Sequence, residues 1–551
     1  MDSAGAHLRE TAPGLHSQGT IVGTVGAWKI SDEQTGFGAR KLAMGEPHFG
    51  RFYEWAGACA VRGVLMLAVV LAVLLIFARP AMGQTESVLY NFCAGGGFCT
   101  DGSTPWAGLV SDAAGNLYGT TRWGGLWGGG TVFELSPNGN GGWTETVLHS
   151  FTGGADGEQP WGPVMLDSAG NVYGTTAGGG AATLGVVFEL SPAGGSWTET
   201  VLYNFCTQSG CTDGGNPLRA NLIMDAAGNL CGMNSAGVFE LSPSGGGWTE
   251  QVIYNGGGDA RLGGLTMDAA GNIFGTTTTE VFELSPSGAG GWNATVMHTF
   301  AGAPGDGSDA VGLPTLDSSG NLYGTTIRGG AKDHGTVYEL TPGENGEWTE
   351  QILHSFKGGT DGAYPWGGVA LDAGGNLYGT TAKGGKGGTV FELAALGNSN
   401  YEDTILWVFN GKDGAYPAGT LMLDGAGNLY GTTGSGGAHH NQGVVFEVSG
   451  VRKATTTTLM SAPNPSTYGE AVTFTAVISG RGGEPPDGET VTFMTGKKTV
   501  LGTGTLSGGS ANFTSTTLKV GTTSVTAVYG GDANFSGSAS NVVKQVVKKA
   551  K

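Results

Sequence analysis

The chain has 551 residues, of which 107 are glycine and 20 are proline, and its formal net charge is −19. So much glycine argues against a helical protein, but it falls short of the one-third with a three-residue period that collagen needs. A content of 39% hydrophobic residues with 13 Trp is too apolar for a disordered chain. The composition therefore predicts a turn-rich, all-β globular protein.

Most of the negative charge lies in residues 84–450, where 34 Asp and Glu stand against 9 Lys and Arg. Residues 451–551 carry 10 Lys and Arg against 5 acidic residues. An acidic segment of this size argues against nucleic acid or an anionic surface as its partner, because both would repel it.

The first predicted element is an unbroken apolar run over residues 63–78, preceded by Arg62 and followed by Ala81-Met82-Gly83. The run is shorter than the roughly 20 residues of a bilayer span, and its flanks are typical of a secretory signal peptide. We predict that residues 1–62 are a leader, either disordered or the product of a wrong start codon, and that 63–83 are the signal peptide. An uncleaved membrane anchor at 63–78 is the alternative. In both cases residues 84–551 are expected outside the cytoplasm, secreted or anchored at the cell surface.

Four of the six cysteines form two closely spaced pairs, Cys93 with Cys99 and Cys206 with Cys211. Both pairs stand between an Asn-Phe and a Thr-Asp-Gly, which places them in the same slot of a repeat. Each pair is predicted to close one loop by a disulfide in an oxidising compartment. Zinc would need four converging ligands, and these pairs are two repeats apart, so no metal site is predicted. Cys231 replaces an aromatic residue of the repeat and is predicted to be a buried free thiol.

A string of the form Asp-x-x-Gly-Asn-apolar-aromatic-Gly recurs seven times, with only Cys231 departing from the aromatic position. Its aspartates are Asp112, Asp167, Asp225, Asp268, Asp317, Asp372 and Asp424. Each copy predicts strand a, a hairpin and strand b (NLYGTT). Strand c (VFEL) follows every copy, and a longer strand d (WTETVLHSF) follows strand c in six of them. Four short strands in each period of about 40 to 58 residues are typical of a β-propeller blade. The sequence therefore predicts a seven-bladed β-propeller over residues 84–450.

The strand count also predicts how the ring closes. No strand d follows the last strand c at Val445–Val448, whereas Glu86–Phe92 matches strand d and stands before the first strand a. The N-terminal strand is therefore expected to complete the seventh blade. An open array would instead leave two exposed sheet edges.

The motifs GNLYGTT, GTVFELSP and GGWTETVLHSF over residues 84–450 resemble the bacterial GloVer tandem repeat. The resemblance implies an extracellular protein and brings no established activity.

Residues 451–551 differ in composition and are rich in Thr, Val and Ser. Seven short predicted strands in about 95 residues favour a β-sandwich. The motifs NPSTYGEAVTFTAVIS and SVTAVYGGDANFSGS look like bacterial Ig-like repeats, which implies a spacer or adhesive module.

In a propeller, the d-to-a and b-to-c loops share one face, and on that face the sequence places a group of aromatic and basic residues. The predicted ligand-binding residues are Trp106, Trp123, Trp127, Trp161, Tyr364, Trp366, Tyr416, Arg122 and Arg328. Exposed aromatic rings stack on sugars and anchor protein partners. The alternative is that the Pro-Trp pairs pack the crossovers between blades.

The sequence favours a non-catalytic recognition or scaffold protein, expected to be a monomer, that binds glycan or protein through this face. No catalytic residue is nominated, and no cofactor is predicted. A secreted carbohydrate-active enzyme, a glycosidase or lyase with acids in the central pocket, is the alternative. Calcium is an alternative to turn capping for the Asp-Gly turns, since carboxylate oxygens suit that ion. These turns contain Asp101, Asp156, Asp213, Asp306, Asp361 and Asp413. The strand-d residues His149, His298 and His354 are interpreted as packing residues.

Overall fold

The computed structural model describes residues 84–550 except 96, 289, 398, 452–454, 481–483, 497–498, 533–534 and 536. These residues form 38 β-strands and three single helical turns, at Ser209–Cys211, Ala260–Leu262 and Gly359–Asp361. The described chain is therefore all-β, which confirms the prediction from composition. The predicted leader (1–62) and signal peptide or anchor (63–83) lie outside the described residues. Within the described part, no helix is long and apolar enough to cross a bilayer.

The first strand, β1 (Thr85–Asn91), pairs with the end of the repeat region rather than with the strands that follow it. After it come six sheets of four antiparallel strands, each in the order a, b, c, d. Sheet 1 contains β2 (Val110–Ser111), β3 (Leu117–Thr121), β4 (Thr131–Pro137) and β5 (Trp143–Ser150). Sheet 2 contains β6 (Met165–Leu166), β7 (Val172–Thr175), β8 (Val186–Ala193) and β9 (Ser196–Asn204). Sheet 3 contains β10 (Ile223–Met224), β11 (Leu230–Asn234), β12 (Gly237–Ser244) and β13 (Gly247–Tyr254).

The next three sheets repeat this arrangement. Sheet 4 contains β14 (Leu265–Met267), β15 (Ile273–Thr276), β16 (Glu280–Ser287) and β17 (Gly291–Thr299). Sheet 5 contains β18 (Gly307–Leu316), β19 (Leu322–Gly329), β20 (Thr336–Pro342) and β21 (Trp348–Ser355). Sheet 6 contains β22 (Ala370–Leu371), β23 (Leu377–Thr381), β24 (Thr389–Gly397) and β25 (Asn400–Val408).

Sheet 7 joins the two ends of the repeat region. It contains β26 (Ala415–Pro417), β27 (Met422–Leu423), β28 (Leu429–Ser435), β29 (Val444–Ser449) and β1. Strand β1 pairs antiparallel with β29 from Thr85 opposite Ser449 to Asn91 opposite Val444. The N-terminal strand thus occupies the strand-d position of the last sheet, as the sequence predicts.

The repeated Asp-x-x-Gly-Asn string forms the hairpin between strands a and b. In sheet 1, Asp112 Oδ1 accepts hydrogen bonds from the backbone N–H groups of Ala114 and Asn116, both at 2.9 Å. Its Oδ2 accepts from Asn116 Nδ2 at 2.8 Å and from the Tyr118 hydroxyl at 3.2 Å. Although burial acts to raise the pKa of Asp112, these hydrogen bonds hold it below its usual value. Gly115 has φ +85°, which explains the glycine of the string.

Neighbouring sheets are held together by aromatic contacts that repeat around the region. The Phe at the end of one strand d lies edge-on to the aromatic residue of the next sheet's strand c, as Phe151 does to Phe188 at 5.2 Å. Phe92, which follows β1, makes the same contact with Phe133 of sheet 1 at 5.1 Å. Both rings are fully buried. The last and first sheets therefore share a core in the same way as consecutive sheets do.

The C-terminal residues form two further sheets. One contains β30 (Thr455–Ala462), β32 (Val472–Gly480) and β35 (Ser510–Ser515). The other contains β31 (Ser466–Thr467), β38 (Val543–Lys548), β36 (Gly521–Tyr529), β33 (Thr490–Thr495) and β34 (Thr499–Thr505), with β37 (Ser538–Ala539) paired to β36. Phe474 of the first and Phe493 of the second are fully buried in a common core.

Candidate functional site

The strand-a segments of all seven repeat sheets meet around one cavity of about 470 Å³. Strand a is only two residues long in most sheets, because the residues before it turn toward this cavity instead of continuing the ladder. The lining is mostly apolar and glycine-rich, with Trp161, Arg219 and Trp366 as its largest polar or aromatic side chains. None of the described residues that line the cavity is Asp or Glu.

The position six residues before the hairpin Asp supplies the main side chains at the mouth of this cavity. It is Trp106, Trp161 and Trp366 in sheets 1, 2 and 6, and Arg219 in sheet 3. A second cavity of about 330 Å³ adjoins the first and shares Trp366 and Ala418 with it. We call Trp106, Arg122, Trp161, Arg219 and Trp366 the aromatic-cation mouth.

The arginines and indoles of the aromatic-cation mouth form one chain of contacts. The Arg122 guanidinium lies 3.9 Å above the Trp161 ring, and Trp161 meets Trp106 edge-on at 5.9 Å. The Arg219 guanidinium lies 5.9 Å from Trp106 and 5.2 Å from Trp366. Such cation–π contacts hold a guanidinium in place without a carboxylate partner. The five side chains therefore form one continuous surface drawn from four sheets.

Several polar atoms of this surface are buried and have no hydrogen-bond partner among the described residues. They are the indole nitrogens of Trp106 and Trp161, Nε of Arg122 and Nη1 of Arg219. All four atoms are N–H donors, and a buried donor without an acceptor is costly. Arg219 Nη2 donates to the carbonyl oxygen of Ala418, and Arg122 Nη2 donates to Gln159 Oε1 at 3.3 Å. Four N–H groups of the mouth thus have no acceptor within the described residues.

Both arginines remain cations at neutral pH. Burial lowers the pKa of Arg219 to about 10 and also lowers the pKa of Arg122. Neither guanidinium has a carboxylate partner among the described residues, whereas Arg261 pairs with Asp259 at 2.7 Å. The mouth therefore holds two positive charges that the surrounding acids leave unneutralised.

The other predicted site residues lie around the aromatic-cation mouth at different distances. Tyr364 and Tyr416 line the second cavity together with Arg328, which lies 6.0 Å from the Tyr364 ring. Trp123 is 40% exposed and lies under Arg122 at 5.0 Å. Trp127 is 68% exposed in the β3–β4 loop and joins neither cavity lining. The structure therefore brings eight of the nine predicted residues together in or beside the two cavities.

Arg219 belongs to this site and was not among the predicted residues. Aligning the repeats on their hairpin Asp would have found it, because Arg219 occupies the slot that holds Trp in three other sheets. Its contact with Trp366 joins sheets 3 and 6, which are distant in the sequence, so no local pattern shows it.

The Asp-Gly turns, considered above as calcium sites, anchor the strand-d residues of their own sheet. The Tyr90 hydroxyl donates to Asp101 at 2.8 Å, and His149 Nε2 lies 3.3 Å from Asp156. His298 Nε2 lies 3.3 Å from Asp306 in the same way, and His354 Nε2 lies within ion-pair distance of Asp361, at 3.4 Å, without a hydrogen bond. These histidines therefore have a polar partner besides their packing role. Calcium at the turns stays a prediction.

A second acid faces each of six turn aspartates from the following sheet. We call these residues the junction acids: Glu86, Glu145, Glu199, Glu250, Glu350 and Asp403. In each of them, one carboxylate oxygen is buried without a hydrogen-bond partner among the described residues. Burial, and then repulsion by the turn Asp, raises the pKa of Glu145 and Glu199 to about 7 and that of Glu350 to about 8.

The predicted cysteine pairing is present in the structure. Cys93 is bonded to Cys99 and Cys206 to Cys211. Each bridge closes the loop that carries a turn Asp. Cys231 is free and buried, as predicted, and burial raises the pKa of its thiol.

Three solved structures that are similar to this chain are distant from it in sequence. Virginiamycin B lyase from Staphylococcus aureus has 15% identity and a TM-score of 0.41, over 66% of this chain and 98% of that one. The extracellular domain of a candidate hybrid two-component system from B. thetaiotaomicron has 12% identity and a TM-score of 0.43, over 85% and 59%. A gluconolactonase from Xanthomonas campestris has 16% identity and a TM-score of 0.32, over 68% and 91%. At these identities and TM-scores, none of these structures assigns an activity or a ligand to this chain.

No curated protein sequence matches this chain. The model of the Gloeobacter/Verrucomicrobia repeat matches residues 75–281 and 278–514, which together span most of the sequence. The chain therefore belongs to the Gloeobacter/Verrucomicrobia repeat family.

Proposed function

We propose that this protein is a non-catalytic recognition or scaffold protein that acts outside the cytoplasm, secreted or held at the cell surface. In this proposal the seven repeat sheets are the blades of one β-propeller over residues 84–450, and residues 451–551 form an Ig-like spacer. The propeller binds a glycan or a protein through the aromatic-cation mouth. The single observation that carries the proposal is the set of four unpaired, buried N–H donors at this mouth.

The ring architecture is supported by two independent features. Strand β1 pairs with β29 and supplies the missing strand d of sheet 7. Phe92 and Phe133 then repeat, between the last and first sheets, the contact that Phe151 and Phe188 make between sheets 1 and 2. The two disulfides support an oxidising compartment, since such bonds are rare in the cytosol.

A glycan fits the mouth better than an extended apolar partner does. Indole faces provide flat apolar surfaces on which sugar rings stack. Sugar oxygens can also accept hydrogen bonds from the unpaired N–H groups. The cavity lining has no carboxylate among the described residues, so a pair of acids for glycoside hydrolysis would have to come from elsewhere.

A glycan array probed with the purified protein tests this proposal. We expect binding to a subset of glycans without release of product, and loss of that binding in the Trp366→Ala variant. Trp127→Ala is the matched control, because that side chain is 68% exposed and lies outside both cavity linings. Equal binding by both variants would contradict the assignment of the mouth, and steady product release would show that the protein is an enzyme.

A further inference from the structure

Positive charge is scarce in the repeat region and concentrated at one place. Residues 84–450 contain 9 Lys and Arg. Four of them, Arg122, Arg219, Arg328 and Lys383, lie over aromatic rings in or beside the aromatic-cation mouth. A region with so large an excess of acid thus places nearly half of its cations around two adjoining cavities.

These four cations differ in whether acidic side chains neutralise them. Arg328 lies 3.7 Å from Asp309 and 3.6 Å from Asp333, at an exposed position. Arg122 and Arg219 have no acidic partner among the described residues. Desolvating an unpaired guanidinium is unfavourable unless a ligand supplies the missing charge. The cation–π contacts of the two inner arginines offset only part of this cost, and an anionic ligand would offset the rest.

The unpaired atoms come from three different sheets. Arg122 Nε and the Trp161 indole come from sheets 1 and 2, the Trp106 indole comes from sheet 1, and Arg219 Nη1 comes from sheet 3. A neutral sugar hydroxyl would accept from one of these donors and would also need an acceptor for its own hydrogen. A carboxylate or sulfate group offers only acceptors and can take several donors at once.

We infer that the aromatic-cation mouth selects a sugar carrying an anionic group, a carboxylate or a sulfate, which accepts hydrogen bonds from Arg219 Nη1 and its neighbouring donors. The sugar ring stacks on an indole face of the mouth, and the anionic group replaces the missing acceptor. This inference rests on the proposed function, because it specifies the ligand class of the same site. The rest of the repeat region is acidic and repels an anionic ligand, so only a ligand whose anionic group enters the mouth is expected to bind.

Calorimetric titration with matched oligosaccharides tests the inference. The probes are an oligogalacturonate, its methyl ester, which keeps the ring but removes the charge, and a sulfated galactose oligomer of the same length. We expect the protein to bind the acid or the sulfated form about 10- to 100-fold more tightly than the ester, as one or two charge-assisted hydrogen bonds would give. High salt should weaken that preference. Preference for the uronate identifies a carboxylate ligand, and preference for the sulfated oligomer identifies a sulfate ligand.

Substitutions locate the preference at Arg219. In Arg219→Met, the acid and the ester should bind with equal affinity, and Arg219→Lys should retain part of the difference because it keeps the charge but loses the planar donor array. Arg261→Met is the control, since its guanidinium pairs with Asp259 and lies outside both cavity linings. If Arg219→Met fails to fold, as judged by its circular dichroism, Arg122→Met provides the same comparison from another sheet.

Two outcomes separate this inference from the proposed function. Equal affinity of the unmodified protein for the acid and the ester, or binding only to neutral glycans on the array, would overturn the inference and leave glycan recognition standing. Failure to bind any glycan or protein partner would overturn both.

Discussion

Raising the pH from about 5 to about 8 is expected to lower the free energy of unfolding through the junction acids. The pKa of Glu199 is raised to about 7 by burial and by Asp156, and the pKa of Glu350 to about 8 by burial and by Asp306. The pKa of a Glu in the unfolded chain is 4.5. Between this pH and the native pKa, the native state therefore binds more protons than the unfolded chain. The stabilisation is complete below about pH 4.5 and is lost as the pH rises through 7 to 8.

The size of the effect follows from the same values. A native pKa of about 7 against 4.5 would correspond to about 3 kcal/mol per site without screening. Because these side chains are only half-buried, solvent screening reduces the expected loss to about 1 kcal/mol per site. Glu86, Glu145, Glu199, Glu250 and Glu350 together then give roughly 5 kcal/mol. His149 acts in the opposite direction, since burial lowers its pKa, but it is a single group near Asp156 and Glu199.

Urea unfolding followed by tryptophan fluorescence at the two pH values measures this effect. Glu199→Gln should raise the free energy of unfolding by about 1 kcal/mol at pH 8 and leave it nearly unchanged at pH 5. Glu344→Gln is the control, because Glu344 is exposed and is not a junction acid. Unfolding free energies that rise from pH 5 to pH 8, or a Glu199→Gln variant identical to the unmodified protein at pH 8, would refute the reasoning.

Three further predictions concern the ring, the mouth and the disulfides. Phe92→Ala should cost about 3 to 5 kcal/mol in urea unfolding, as expected for a fully buried ring, whereas Phe98→Ala, at a 90% exposed position, should cost almost nothing; equal costs would contradict the closure. Gly434→Ala should lower glycan affinity by about 10-fold or more, because the new Cβ would lie 2.1 Å from an indole of the mouth, and unchanged affinity in the titration would contradict that placement. Replacing Cys206 and Cys211 together by Ser should lower the free energy of unfolding by about 2 kcal/mol, as loop closure predicts, and an unchanged midpoint would show that the bridge does not stabilise the fold.

The local features of the fold could be predicted because the same motifs recur seven times in the sequence. The hairpin Asp, the strand-c motif and the strand-d match at Glu86–Phe92 each fix a pairing that the structure shows. Strand a is shorter than the apolar pattern indicates, as with Val110–Ser111, because the residues before it line the cavity rather than pair. An apolar run alone does not distinguish these two arrangements.

The candidate site was predicted only in part, because its contacts join repeats that are distant in the sequence. Its tryptophans stand out in the sequence, but Arg219 meets Trp366 only because residues of sheets 3 and 6 line the same cavity. The polar partners of the strand-d histidines could not be predicted from the sequence either. His149 occupies a slot that also holds Tyr90 and Trp407, all of which carry a polar hydrogen, and only the folded turn reveals Asp101, Asp156 and Asp413 as their partners.

The proposed site depends on the closure of the repeat region by β1, which brings the residues of the aromatic-cation mouth together. Hydrogen exchange followed by mass spectrometry tests it directly, by comparing the amides of residues 85–91 with those of β9 in the middle of the repeat region. We expect β1 to be protected to the same degree as β9, because both pair with a central strand c along their length. Exchange of residues 85–91 at the rate of an unstructured peptide, with β9 still protected, would contradict the account.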